Sequence, residues 1–147
     1  MALSVTIATA ADAEELTDAL EHLVPQLSRT SAPPTFEAVR AMLAHDAVTQ
    51  LVARDGAGAI VGVATLITFP IPTGRRGWVE DVIVDEDSTN QGIGRRLLDA
   101  MIAQAQELGC KTLDLTSRPR RAAAIHLYES AGFARRETTV WRHEPGA

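Results

Sequence analysis

The sequence predicts a mixed α/β fold: a mostly antiparallel sheet with one parallel strand pair, in the element order βααβββαβαββ. Three observations support this. β-branched apolar runs and amphipathic stretches of helical period alternate along the chain. The stretch Val79 to Leu98 reads strand, glycine loop, helix and leads to a further strand at Thr112, forming the only clear βαβ unit and hence the parallel pair. The remaining strands are joined by short turn sequences, such as Asp55-Gly56-Ala57-Gly58, that permit hairpins.

In chain order, Ser4 to Thr9 alternates and is β-branched, a first strand. Ala11 to Val24 carries Leu16, Leu20, Leu23 and Val24 at helical spacing, with Asp12, Glu14 and Glu15 in the first turn, where acids suit the helix dipole. Pro25 marks or nears its end, and Ser28 to Pro34 is a loop. Thr35 to Ala44 is a short second helix with Phe36, Val39, Met42 and Leu43 inward. Thr49 to Arg54 and Ala59 to Thr68 are apolar strands, and Phe69 to Arg76, with two prolines, reads as a break. Gly77 to Val84 is the fourth strand. Gly92 to Leu108 is the third helix, with a stripe at Ile93, Leu97, Leu98, Met101, Ile102, Ala105 and Leu108 and with Gly109 as its C-terminal cap. Thr112 to Thr116 is a fifth strand, Arg121 to Ser130 a fourth helix closed by Gly132, and Phe133 to Arg136 and Thr138 to Arg142 are two short final strands.

With 147 residues the chain is expected to form one domain, and its apolar and charged fractions are those of a globular protein. A net charge of −5 argues against a nucleic-acid partner. A single cysteine, Cys110, rules out an internal disulfide and a cysteine-based zinc site. No apolar run approaches a membrane span, and Met1 to Ala13 lacks the pattern of a signal peptide, so a cytoplasmic, membrane-free protein is expected. The sequence leaves open a monomer or a homodimer.

The Val79 to Leu98 stretch has the grammar of an anion site. Exposed N–H groups at a helix start, with the helix dipole, bind phosphate. Before the loop lie two consecutive acids, Glu80 and Asp81, which alternation sends to opposite faces. The dinucleotide fingerprint fails here, because its third glycine would fall at Leu97. A Walker loop fails for want of its Gly-Lys-Ser/Thr.

The register Thr89-Asn90-Gln91-Gly92-Ile93-Gly94 resembles the central motif of the GNAT superfamily of N-acetyltransferases, Arg/Gln-x-x-Gly-x-Gly/Ala after a strand, with Thr89 departing from it. Downstream, Arg121-x-x-Ala124-x-x-Leu127-Tyr128-x-x-x-Gly132-Phe133 resembles the family's Asn-x-x-Ala-x-x-Leu-Tyr-x-x-x-Gly-Phe, with Arg121 in place of Asn. Element order and length match as well, so the resemblance covers nearly the whole chain.

The resemblance implies direct transfer of an acetyl group from acetyl-CoA to a primary amine of a small molecule or protein, with no metal. It implies parallel strands 4 and 5 that splay apart, with Val82, Ile83 and Val84 pairing with the pantetheine arm. Backbone N–H groups of Gln91 to Arg95 are positioned to take the pyrophosphate, and Arg95 and Arg96 add positive charge nearby. An ammonium of pKa ~10.4 is neutral only about once in ~10³ at pH 7, so a base is useful, and Glu80 is the candidate. Asp81 is then a structural acid. Tyr128 matches the residue that protonates the leaving thiolate, although full transfer from a phenol is uphill by about 2 kcal/mol. A non-catalytic CoA-binding or interaction module of the same fold is the alternative.

His22, His45 and His143 show no metal-ligand spacing, and His126, off the face of Tyr128, reads as a surface residue. Arg118, Arg120 and Arg121 either meet the CoA 3′-phosphate or an acidic acceptor group, or are simply solvated.

Overall fold

The computed structural model describes residues 2–89, 91–118 and 122–146. Five strands form one sheet in sequence order: β1 (Ser4–Ile7), β2 (Val48–Arg54), β3 (Ile60–Ile71), β4 (Gly74–Val84) and β5 (Thr112–Asp114). The first four pair antiparallel, and β4 and β5 pair parallel. Four helices accompany them: α1 (Ala13–Leu27), α2 (Phe36–Ala44), α3 (Ile93–Glu107) and α4 (Ala122–Ser130). The mixed fold and the single parallel pair are those predicted.

Each face of the sheet carries its own apolar layer. On one face, α3 sets Ile93, Leu97, Met101 and Ala105 against Leu51, Ala53, Leu66 and Val79. On the other, α1 and α2 set Leu16, Leu20, Leu23 and Val39 against Val52, Val63 and Ile83. The α3 stripe is the predicted one, and Leu97, Leu98 and Met101 are fully buried. Burying a Leu or Met side chain contributes about 1.5–3 kcal/mol, so this stripe fixes where α3 lies. Phe36 departs from expectation: it is exposed, with the Arg40 guanidinium 5.9 Å from its ring centroid.

Helix ends and turns follow local chemistry. The Thr35 hydroxyl caps α2 by accepting from the Ala38 N–H at 3.1 Å. Asp55 holds the β2–β3 turn, its Oδ1 accepting from Ala57 and Ala59 N–H. Gly109 and Cys110 close α3, their N–H groups donating to the Gln106 and Ala105 carbonyls.

Three expectations are corrected. Phe69 to Arg76 is not a break, since β3 runs on to Ile71 and turns into β4 at Gly74. The prolines are tolerated because Thr68 N–H makes the last bond toward the β2 side, to the Ala47 carbonyl. Pro70, two residues on, faces the same side beyond the end of β2, where no N–H is required. β5 stops at Asp114, short of Thr116, because β4 has moved out of reach. Phe133 to Arg136 and Thr138 to Arg142 form no strands. β propensity expresses packing against a neighbouring strand, and this segment has none; Val140 is 66% and Trp141 90% exposed.

α1 is tied to the sheet by a two-pronged pair, Arg54 Nη1 to Glu15 Oε2 at 2.7 Å and Arg54 Nη2 to Glu15 Oε1 at 2.8 Å. The hydrogen bond from Arg54 holds the Glu15 carboxyl below its ordinary pKa. A depressed carboxylate contributes stability above its unfolded pKa and loses it as pH falls through the folded one. Glu15→Gln should therefore lower Tm at pH 7 by about 1–3 °C. The difference should vanish in acid, below the carboxylate range, which a pH series of thermal melts would check.

Candidate active site

The site begins where β4 and β5 part. Among the described residues their ladder pairs Arg76 with Thr112, Gly77 with Leu113 and Trp78 with Asp114. β4 continues to Val84, still paired on its other side with β3. From Val79 onward, the edge of β4 toward β5 has no strand partner among the described residues. Of the proposed pantetheine contacts, Ile83 is buried, and Val82 and Val84 are half-buried against the α3 layer.

A bulge shapes this edge. Thr65 pairs with Glu80 and Val63 with Ile83, so Ala64 faces two residues, Asp81 and Val82. Asp81 adopts φ 46°, the only positive φ of a non-glycine residue among those described. The extra residue shifts the alternation: Val79, Val82 and Val84 share the α3 face, while Ile83 joins the opposite layer. The simple assignment of Glu80 and Asp81 to opposite faces therefore does not carry across the bulge. Asp81 is solvent-accessible, yet its carboxyl is partly desolvated against the protein. That desolvation, and next the charge of Glu80, raise its pKa above the ordinary aspartate value.

Glu80 has a partner the sequence reading missed. Trp78 Nε1 donates to Glu80 Oε1 at 2.7 Å. The signal was present, because residues two apart on a strand share a face. Trp78 and Tyr128 both line a cleft of about 1450 Å³ between β4, β5, α3 and α4.

Tyr128 is set by the end of its helix. The Phe133 N–H donates to the Tyr128 carbonyl and the Gly132 N–H to the Glu129 carbonyl, both at 3.0 Å, with Gly132 at φ 99°. This is a Schellman ending, and its characteristic apolar contact is the edge-to-face pair of Tyr128 and Phe133, ring centroids 6.2 Å apart. The Tyr-x-x-x-Gly-Phe pattern therefore has a local structural meaning.

The α3 N-terminus has no side-chain cap. Its first helical bond runs from Arg96 N–H to the Gly92 carbonyl, leaving the preceding N–H groups free of helical partners. The two glycines have separate tasks. Gly92, the N-cap residue, has φ 72°, a left-handed turn into the helix. Gly94 admits α4, since a Cβ there would lie 3.1 Å from Leu127 Cδ2. Both arginines are engaged. Arg95 Nε donates to Asp99 Oδ1 at 2.9 Å and Nη1 to Ser130 Oγ at 3.3 Å, while Arg96 Nη1 donates to the Leu3 carbonyl at 2.6 Å. Thr89 and Gln91 are exposed on the loop. Asn90 and Arg121 lie outside the described residues.

The loop before α3 is clamped by α1, across about sixty residues of sequence. His22 Nε2 lies 3.1 Å from Asp85 Oδ2, and Gln26 donates to Asp85 Oδ1 and accepts from the Glu86 N–H. Burial raises the Asp85 pKa, but the Asp87 N–H, Gln26 and His22 outweigh it and hold the carboxyl below its ordinary value. No sequence spacing pointed to this cluster.

Comparison with known proteins bears on these features together. The sequence profile of the acetyltransferase (GNAT) family matches residues 16–133. A mycothiol acetyltransferase of Propionibacterium freudenreichii subsp. shermanii is 40% identical over 90 residues, which is 61% of this chain and 29% of that protein. A ribosomal protein bS18-alanine N-acetyltransferase of Escherichia coli is 44% identical over 63 residues, 43% of this chain and 41% of that one. The chain thus spans less than half the length of these relatives. The solved structure of a ribosomal-protein-alanine N-acetyltransferase from Brucella melitensis biovar Abortus 2308 superposes with TM-score 0.79 at 24% identity, covering 99% of this chain and 100% of that one, a likeness of fold.

Gly92→Ala should destabilise the protein by about 1–2 kcal/mol, the usual penalty for a left-handed L-residue. Gly92→Asn should lose less. Urea unfolding would measure both, and equal losses would show that position 92 does not depend on its φ.

Proposed function

The chain belongs to the acetyltransferase (GNAT) family, and on that premise we propose that it transfers an acetyl group from acetyl-CoA directly to a primary amine. One observation carries the reading: the edge of β4, without a strand partner among the described residues, leads to the uncapped N-terminus of α3. An extended, strand-like arm ending in phosphates matches that pair of features in both shape and charge.

In this reading the peptide groups of Val82, Ile83 and Val84 hold the arm, and a backbone N–H near the bulge faces the thioester oxygen as an oxyanion donor. The N–H groups from Gln91 to Arg95 take the pyrophosphate. Arg95 and Arg96, held by Asp99, Ser130 and Leu3, supply background charge without needing direct contact. Tyr128 donates a hydrogen bond to the sulfur and passes its proton as the C–S bond breaks. The amine gives up its proton to an acid of β4, for which Glu80 is the sequence's candidate. The acids of this edge favour a cationic acceptor, small molecule or protein.

Acetyl-CoA should raise the Tm of the protein. Thiol release should then follow with at least one amine from a panel of polyamines, aminoglycosides, amino acids and peptides, with the N-acetyl product seen by mass spectrometry. Tyr128→Phe should keep acetyl-CoA affinity and lower kcat at least tenfold. Unchanged kcat removes Tyr128 from the acid role. Absence of both the thermal shift and the product removes the acetyl-transfer reading.

A further inference from the structure

The loop assigned to the pyrophosphate begins, directly after β4, with a run of acids, Asp85-Glu86-Asp87. Like charge makes such a run a poor neighbour for phosphate. Asp85 N–H still pairs with the sheet, donating to the Val61 carbonyl at 2.8 Å. Its own carbonyl and Oδ1 accept from the Ser88 and Asp87 N–H groups, closing a single 3₁₀ turn over Glu86–Ser88. The carboxylate also meets α1: Oδ2 lies 3.1 Å from His22 Nε2, and Oδ1 accepts from Gln26 Nε2 at 3.4 Å. α1 and α3 pack on opposite faces of the sheet. The charge of Asp85 is thus taken up by the layer opposite α3.

Gln26 also grips the main chain. Its Oε1 accepts the Glu86 N–H at 3.0 Å, at the first residue of the turn. That bond does nothing for α1 itself, whose last turn is closed by the Ser28 N–H on the Val24 carbonyl at 3.0 Å. Between the turn and α3, Thr89, Gln91 and Gly92 are exposed, and a Cβ on Gly92 would meet nothing within 4 Å. The described residues of this stretch therefore gain little from packing. Their course is set by α3 at one end and by the clamped turn at the other.

We propose that Gln26 is a positioning residue for the pyrophosphate of acetyl-CoA, fixing from α1 the turn that delivers the chain to the start of α3, with His22 as its companion on the Asp85 carboxylate. This rests on the acetyl-transfer reading and adds to it a residue from the far face of the sheet. Gln26 acts through the turn and meets no reacting atom. Its loss is therefore felt in donor affinity and not in the chemical step.

The test compares Gln26→Ala with Glu15→Gln, which cuts a different tie of α1, its pair with Arg54. Amide exchange at Glu86 is followed by NMR, and the Kd of acetyl-CoA by calorimetry. Both KM values and kcat are taken with the amine that the unaltered protein acetylates fastest. Gln26→Ala should speed exchange of the Glu86 amide about tenfold or more. It should raise the Kd and KM of acetyl-CoA about tenfold, the scale of a lost hydrogen bond to a charged or main-chain group. It should leave kcat and the KM of the amine within about twofold. Gln26→Glu keeps an acceptor for the Glu86 N–H but sets a second carboxylate against Asp85, and should weaken acetyl-CoA at least as much. Glu15→Gln should lower Tm and leave acetyl-CoA affinity within about twofold. The proposal is overturned if Gln26→Ala binds acetyl-CoA as the parent does, even with faster exchange at Glu86, or if kcat falls while the KM of acetyl-CoA holds. It is also overturned if Glu15→Gln weakens acetyl-CoA equally, which is what a general loosening of α1 predicts. If the parent binds acetyl-CoA and acetylates an amine while the variants break this pattern, the role of Gln26 alone is lost. If the parent does neither, the acetyl-transfer reading fails and this proposal falls with it.

Discussion

Parallel pairing between β4 and β5 stops at Trp78 and Asp114, and the candidate site lies just beyond that stop. A parallel pair is held by evenly spaced ladder bonds, and once the strands diverge those groups need other partners. The divergence is stabilised from both sides. β3 keeps β4 on its line through the bulge at Asp81, and the α3 layer anchors Val82 and Val84 beyond it. The wedge is therefore built into the sheet by strand pairing on one side and helix packing beyond it.

The helices act on this wedge through their ends. α3 starts at a left-handed Gly92 and is pressed against α4 where Gly94 meets Leu127. Arg95 joins the same two helices through Ser130. α4 ends in the turn that pairs Tyr128 with Phe133. The uncapped start of α3 and the phenol thus belong to one packed unit. On the other side, α1 holds the intervening loop through His22 and Gln26. A helix assigned to one face of the sheet thereby steadies a loop feeding the other.

The sequence carried much of this, and the reasons it missed the rest are physical. The α3 stripe was legible because one helix face buries against one sheet, which imposes a strict period. The glycine loop and the Tyr-x-x-x-Gly-Phe turn were legible because helix termination is local chemistry. The bulge was not, because it is a mismatch between two strands and neither strand alone shows how it pairs. The α1 clamp on Asp85 was invisible for the same reason, since it joins residues distant in sequence. The segment Thr138 to Arg142 shows the opposite failure: its residues favour a strand, but a strand exists only with a neighbour to pair with.

The bulge has another consequence, for the company the protein keeps. A strand edge with free N–H and C=O groups is a template on which other chains can add, and proteins guard such edges with charge and irregularity. β4 carries two adjacent acids here, and its bulge against β3 kinks the strand at Asp81. Another β-strand approaching it would meet repulsion from Glu80 and Asp81 and a ladder out of step. The feature that leaves this edge open also works against its pairing with another β-strand.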